Sequence, residues 1–217
     1  YSKNEGTVEN NEVFKTQTNT IIGTNSTFKY TLTYTGTVKD YIGTATVTLK
    51  DKLPYEVSSI KFDEGCTFDE TTRILTCTKT VELNKDNQNI DATFNVEVTY
   101  KNLTGTTNLD VVNKVESTLT FGESNVEDSS EVTDTILSGK VTATYVDEDN
   151  KELSNSVTTS GLVGTNYETE EKTIYGYTLK EVLGNETGKY QTEEIKVTYV
   201  YSKNEGTVEN NEVFKTQ

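Results

Sequence analysis

The sequence contains no histidine, no methionine and no tryptophan, and it has a single proline, Pro54. Without histidine the chain lacks the commonest general base and metal ligand at neutral pH. Two cysteines, Cys66 and Cys77, are too few to close a tetrahedral zinc site. No glycine-rich phosphate loop follows a strand-like segment. Apolar runs are only a few residues long, so nothing reads as a membrane span. Cations are outnumbered: 20 Lys and Arg against 35 Asp and Glu leave a formal net charge of −15. Such a surface repels nucleic acid and anionic membrane and keeps neighbouring domains apart in a long array. These absences argue against an enzyme, and no cofactor, nucleic-acid partner or membrane partner is expected.

What the chain does have is a perfect internal repeat. Residues 1–17, YSKNEGTVENNEVFKTQ, recur letter for letter at 201–217. The offset of 200 residues is far longer than a solenoid or propeller repeat and long enough for one or two whole domains. The expected parent is therefore a tandem array, with neighbouring repeats of the same chain as partners. Residues 1–11 read as a polar connector from a preceding repeat or the frayed end of a strand. Residues 204–217 read as the start of the next repeat, either disordered or held by contacts unlike those of the first copy.

From residue 12 the apolar pattern has period two. Phe28, Tyr30, Leu32 and Tyr34 share one face, Ala45, Val47, Leu49 and Leu53 a second, Phe94, Val96, Val98 and Tyr100 a third, and Val111, Val115, Leu119 and Phe121 a fourth. Short alternating strands between Gly, Asn and Asp turns predict an antiparallel β-sandwich over 12–136. The acidic stretch 122–134 is either an edge-strand hairpin or the start of a linker. A second unit over 137–203 opens with alternating Val141, Ala143 and Tyr145 and closes on the strand IKVTYVY. It has no amphipathic helix, so a short β-rich module is expected.

Three polar residues fall on faces that the alternation marks as buried: Lys15, Asp51 and Asn113. An unpaired buried charge is costly, so these three should meet. One outcome is a Lys15–Asp51 salt bridge. Glu97 and Glu116 fall on the opposite parity and are weaker acid candidates. Cys66 and Cys77 lie directly opposite each other if the intervening hairpin turns at Thr71 and Thr72, which would allow a disulfide. A pair of buried free thiols is the alternative. Asp147 and Asp149, in the run DEDN at 147–150, are weak calcium candidates, and such a run is more often a solvated hairpin tip. Tyr167, Tyr175, Tyr177 and Tyr190 suit either sugar stacking or the core of the second unit.

Residues 139–203 resemble a MucBP (mucin-binding protein) repeat, through VTATYVDEDNKEL, GLVGTNYETEEKTIYGYTL, GNETGKY and VTYVY. Asn150 stands where that family often has Gly, and Tyr175 where it often has Pro. The resemblance implies a small β-grasp-like (ubiquitin-like) fold on a Gram-positive surface protein, and contact with host mucin or other glycoproteins. It names no glycan-contacting residue. Residues 12–136 resemble the Ig-like repeats of Gram-positive surface adhesins, of the DUF11 and CnaA-like type, through VFKTQ, FKYTLTYTGTVKDYIGTATVTLKDKLP and VVNKVESTLTF. Members of that group often carry a spontaneous Lys–Asn isopeptide bond promoted by a buried acid. Carried over by order along the chain, the resemblance implies a bond between Lys15 and Asn113 with Asp51 assisting. A Thr–Gln ester cross-link ranks lower, because its known examples lean on a histidine. The expected role is a robust extracellular stalk attached to the cell wall. The alternative is that each repeat itself binds mucin glycans.

Overall fold

The alternation of β-branched and aromatic residues with Thr, Lys and Asn resolves into fifteen strands in a computed structural model, which describes residues 5–206. Among the described residues there is no helix, and none long and apolar enough to cross a membrane. The chain divides into two compact units.

The first unit contains nine strands: β1 (Thr7–Gln17), β2 (Phe28–Lys39), β3 (Gly43–Lys52), β4 (Val57–Phe62), β5 (Cys66–Asp69), β6 (Ile74–Leu83), β7 (Asn89–Tyr100), β8 (Leu109–Phe121) and β9 (Ser124–Ile136). They form a four-stranded sheet in the order β1-β2-β7-β4 and a five-stranded sheet in the order β5-β6-β3-β8-β9, with antiparallel pairing throughout. The inward faces carry Phe28, Tyr30, Leu32 and Tyr34 from β2, Ala45, Val47 and Leu49 from β3, Phe94, Val96 and Val98 from β7, and Val111, Val115 and Leu119 from β8, all buried. This is the Ig-like antiparallel sandwich that the period-two pattern predicts.

One edge of the sandwich is closed by side chains rather than by a ladder. The Val13 amide donates to Asp128 Oδ2 at 2.9 Å, the Lys15 amide to Ser130 Oγ at 3.0 Å, and Asn11 Nδ2 to the Glu127 carbonyl at 3.1 Å. These bonds tie β1 in one sheet to β9 in the other. They resolve the stretch 122–134 as the edge strand β9 and not as a linker.

The second unit runs from Gly139 to Gly161 and resumes at Asn166, while Leu162–Thr165 pack with the first unit. Its strands are β10 (Ser138–Asp147), β11 (Glu152–Leu162), β12 (Asn166–Glu168), β13 (Tyr177–Leu183), β14 (Thr187–Lys189) and β15 (Ile195–Lys203). The main sheet has the order β11-β10-β15-β13, with β10 and β15 parallel at its centre and β13 antiparallel to β15. A parallel central pair flanked by antiparallel strands is a β-grasp sheet, here built without a helix. Its core is unusually rich in tyrosine: Tyr145, Tyr167, Tyr190, Tyr199 and Tyr201 are buried with Val141, Ala143 and Val197. Tyrosine fills such a small core because its ring packs while its hydroxyl reaches polar groups at the rim. Tyr145 and Tyr199 stack at 5.3 Å, and their hydroxyls bond the Glu170 carbonyl and Thr169.

Two boundaries differ from the reading of the sequence. Thr7–Asn11, expected within a connector, is strand, paired with Lys39–Gly36 of β2. Its polar composition suits a sheet edge open to water, where apolar alternation is not required. Leu162–Thr165, expected inside the continuous unit 137–203, are held by the first unit. Leu162 is fully buried in that core, and its amide donates to the Gly105 carbonyl. The repeated segment beyond residue 206 lies outside the described residues.

Candidate functional site

The sandwich brings Lys15, Asp51 and Asn113 to one point in its interior. Lys15 faces inward from β1, beside Val13 on the same parity. Asp51 continues the inward face of β3 and pairs in register with Val115 of β8. Asn113 sits two residues from Val115 on the same face, the diagonal neighbour of Asp51 across the ladder. Asp51 and Asn113 are fully buried and Lys15 nearly so, at 5% exposure. Lys15 Nζ is in direct contact with Asp51 Oδ2. The expected pairing of the lysine and the acid is therefore present.

Electrostatics in this pocket favour the neutral forms of both partners. Burial pushes the Lys15 ammonium below the ordinary lysine value, against the pull of Asp51. Burial also pushes the Asp51 carboxyl above the ordinary aspartate value, against the pull of Lys15. In each case desolvation outweighs the mutual attraction. Asn113 lies close enough to Asp51 to lower its pKa as a donor does. Yet neither polar atom of the Asn113 carboxamide, nor Asp51 Oδ1, has a hydrogen-bond partner among the described residues. Buried native amides are rarely left unbonded, so the Asn113 carboxamide is held beside the acid without being used as a structural hydrogen-bonding group.

Three further residues shape this site. Tyr30 of β2 places its ring 4.4 Å from Lys15 Nζ, and its hydroxyl donates to Asp134 Oδ2 at 3.3 Å. Burial raises the pKa of both Tyr30 and Asp134. The Tyr100 hydroxyl is buried beside Tyr30 and is raised by burial first and by Tyr30 second. The inward parity of Asp134 was readable from Val126, Val132 and Ile136 once 122–134 is taken as strand. Glu97 and Glu116 stand outside the core, paired with Lys29 and Lys114 on the surface.

Cys66 and Cys77 form a disulfide. They are direct partners in the β5–β6 register, which closes at Asp69↔Ile74. The turn between is set by Asp69, whose Oδ1 accepts the amides of Thr71 and Thr72, an Asx turn.

At Asp147–Asn150 the weak calcium candidates are used locally instead. Asp147 Oδ1 accepts the amides of Asp149 and Lys151, and Glu148 pairs with Lys180 Nζ at 2.5 Å. Among the described residues no three acidic, His or Cys side chains converge as a metal site. Asn150 adopts φ +61°, which explains both the family's Gly there and the tolerance of Asn. Tyr175 and Gly176 are the central residues of a turn closed by the Tyr177 amide on the Ile174 carbonyl, with Gly176 at φ +79°. Pro is favoured at the first central position of such a turn, which accounts for the family's Pro where this chain has Tyr175. Of the four tyrosines considered for sugar stacking, Tyr167 and Tyr190 belong to the core, Tyr177 packs against it, and Tyr175 is fully exposed.

The second unit also carries a groove of about 310 Å³, floored by Ala143, Tyr145 and Val157 and rimmed by Thr159, Glu168, Thr169, Glu170, Glu171 and Lys172.

Comparison with known proteins places these features. Residues 140–202 match the MucBP domain family. A stretch of 66 residues is 54% identical to Internalin J of Listeria monocytogenes serovar 1/2a, and 53% identical to Internalin J of serotype 4b. That stretch is 30% of this chain and spans only 8% and 7% of those two relatives. Among solved structures, BcpA, the major pilin subunit of Bacillus cereus, aligns with a TM-score of 0.52 at 13% identity, over 91% of this chain and 71% of that one. This likeness is one of fold.

Proposed function

We propose that this chain is one unit of a tandem array on a Gram-positive cell surface, a stalk whose sandwich domain locks itself with a Lys15–Asn113 isopeptide bond. The observation that carries this reading is the sealed cluster of Lys15, Asp51 and Asn113, in which the proton prefers the acid and the carboxamide is unbonded. Neutral Lys15 Nζ attacks Asn113 Cγ. The Nζ–Cγ bond forms and the Cγ–Nδ2 bond breaks. Asp51 carries one proton from Nζ to the departing Nδ2, which leaves as ammonia. No external reactant enters, because the core admits none, so the chemistry serves the protein's own fold and not a substrate.

The bond closes a loop of roughly a hundred residues, for which chain entropy gives about 4–5 kcal/mol of stabilisation. The Cys66–Cys77 loop is short and gives about 2–3 kcal/mol on the same basis. Together they suit a spacer exposed to shear and proteases outside the cell, where disulfides persist. Intact mass spectrometry of the denatured, reduced protein tests the reading. The chain should be one ammonia lighter than its sequence, and Lys15→Ala, Asp51→Ala and Asn113→Ala should each show no ammonia loss. A full mass for the unaltered chain would sink the cross-link.

A second reading rests on the groove of the MucBP unit. Its apolar floor and carboxylate rim suit a neutral sugar, whose hydroxyls donate to the three glutamates, and disfavour sialylated or sulfated glycans. Binding of the fragment to desialylated mucin, lost in Glu170→Ala and Val157→Asp, would support a direct adhesive role. Absence of binding would leave the spacer role.

A further inference from the structure

The exact repetition of 1–17 at 201–217 means that each end of the chain shows one half of the same junction. We infer that successive repeats are joined through a single unconstrained residue, Glu205 (Glu5 in the leading copy), so that a second copy of this chain is held as a stiff neighbour and not on a flexible tether. The inference rests on the array reading.

The trailing end shows how the junction leaves the MucBP unit. Strand β15 runs to Lys203, paired with Tyr177 of β13, and Tyr201 is buried in the core. The next residue, Asn204, is still bound to this unit. Its amide donates to the Gly176 carbonyl at 2.9 Å, and its Oδ1 accepts the Thr178 hydroxyl at 2.7 Å. Asn204 thus extends the β13 edge by one position beyond the strand.

The leading end shows how the junction enters the sandwich. Strand β1 begins at Thr7, paired with Lys39. Gly6, the residue before it, is already part of the domain. It has φ +48°, and a Cβ there would stand 2.8 Å from Tyr41 Cβ and 3.0 Å from Val38 Cγ1. Tyr41 cannot yield. Its ring packs edge-on against Phe121, its hydroxyl accepts the Gly122 amide, and its carbonyl accepts Gln88 Nε2. Only glycine fits at this position, on grounds of both backbone conformation and space.

The linker sequence between β15 and the following β1 is Asn-Glu-Gly. Asn is held from one side and Gly from the other. Only the Glu, exposed in both copies, remains to absorb rotation. A flexible linker of comparable purpose is longer and rich in unconstrained Gly and Ser. Here the glycine is spent on close packing. Two backbone dihedrals cannot sample many orientations of two bulky domains, so the array behaves as a rod of fixed pitch.

The test is a polypeptide of two consecutive copies, spin-labelled at Glu186→Cys of the first copy and at the counterpart of Lys79→Cys in the second, with the native disulfides intact. Pulsed electron paramagnetic resonance should give one narrow distance distribution. Inserting Gly-Ser-Gly-Ser after Glu205 should broaden it several-fold, and Asn204→Ala with Thr178→Val should broaden it partially. A distribution already broad in the unaltered protein, and indifferent to the insertion, overturns the inference while leaving the array intact. Limited proteolysis reads the other premise: if the second copy does not fold behind the first, the array reading itself fails.

Discussion

At the scale of residues, the account turns on three polar side chains in an apolar interior. Parity alone marked Lys15, Asp51 and Asn113 as inward, since each continues a run of alternating buried residues. What parity did not reveal is the balance between burial and attraction, which depends on how completely water is excluded. The Lys15–Asp51 pair keeps one proton in the folded state, on the acid. The unfolded pair also keeps one, on the lysine, between the ordinary values of 3.8 and 10.5. In a chain lacking the cross-link, such as Asn113→Ala, the pair should add no pH dependence to stability within that window. Tyrosines set the alkaline limit. Burial raises Tyr30, Tyr34 and Tyr100 above the ordinary 10.0. A raised folded value gives stability that is complete below the unfolded value and is lost as pH climbs above it. Denaturant midpoints of Asn113→Ala should therefore fall as pH rises past 10.0, with phenolate absorbance appearing together with unfolding. Phenolate formation well before unfolding would contradict the burial of these rings.

At the scale of elements, turns explain why this chain departs from its family at two positions. The Ile174–Tyr177 turn has Gly176 at φ +79° and a fully exposed Tyr175 before it. Tyr175→Pro should stabilise the second unit by about 0.4–1 kcal/mol, by limiting the unfolded chain without removing a contact. Asn150→Gly, at φ +61°, should change stability by only a few tenths of a kcal/mol. Thermal denaturation of the two variants checks both, and a destabilising Pro would mean that the turn differs from the one described. The strands of the sandwich were legible because Phe28–Tyr34 and Phe94–Tyr100 alternate strictly. Strand β1 was half-legible: Val13 and Lys15 showed their parity, while Thr7–Asn11 did not, because their pairing is set by the β2 backbone and by the β9 side chains. Leu162 was not legible as a core residue of the first unit, since nothing in its neighbourhood indicates which of two apolar cores it enters.

At the scale of the whole molecule, the two units divide the labour of a surface array. The sandwich resists unfolding, and the MucBP unit ends in a strand that passes into the next copy. Reducing the Cys66–Cys77 disulfide in the folded protein should lower stability by about 2–3 kcal/mol, less than loss of the Lys15–Asn113 tie, because the loop it closes is shorter. Guanidinium unfolding with and without reductant, for the unaltered chain and for Asn113→Ala, ranks the two contributions. A larger effect from the disulfide would argue that the core residues are only ion-paired. The most direct measurement is a tryptic digest of the reduced, denatured chain. Trypsin cuts after free Lys but not after an acylated one. If the bond forms, residues 4–29 remain uncut at Lys15 and appear joined to residues 102–114, with the loss of one ammonia. If 4–15, 16–29 and 102–114 appear as separate peptides of full mass, the central claim is wrong.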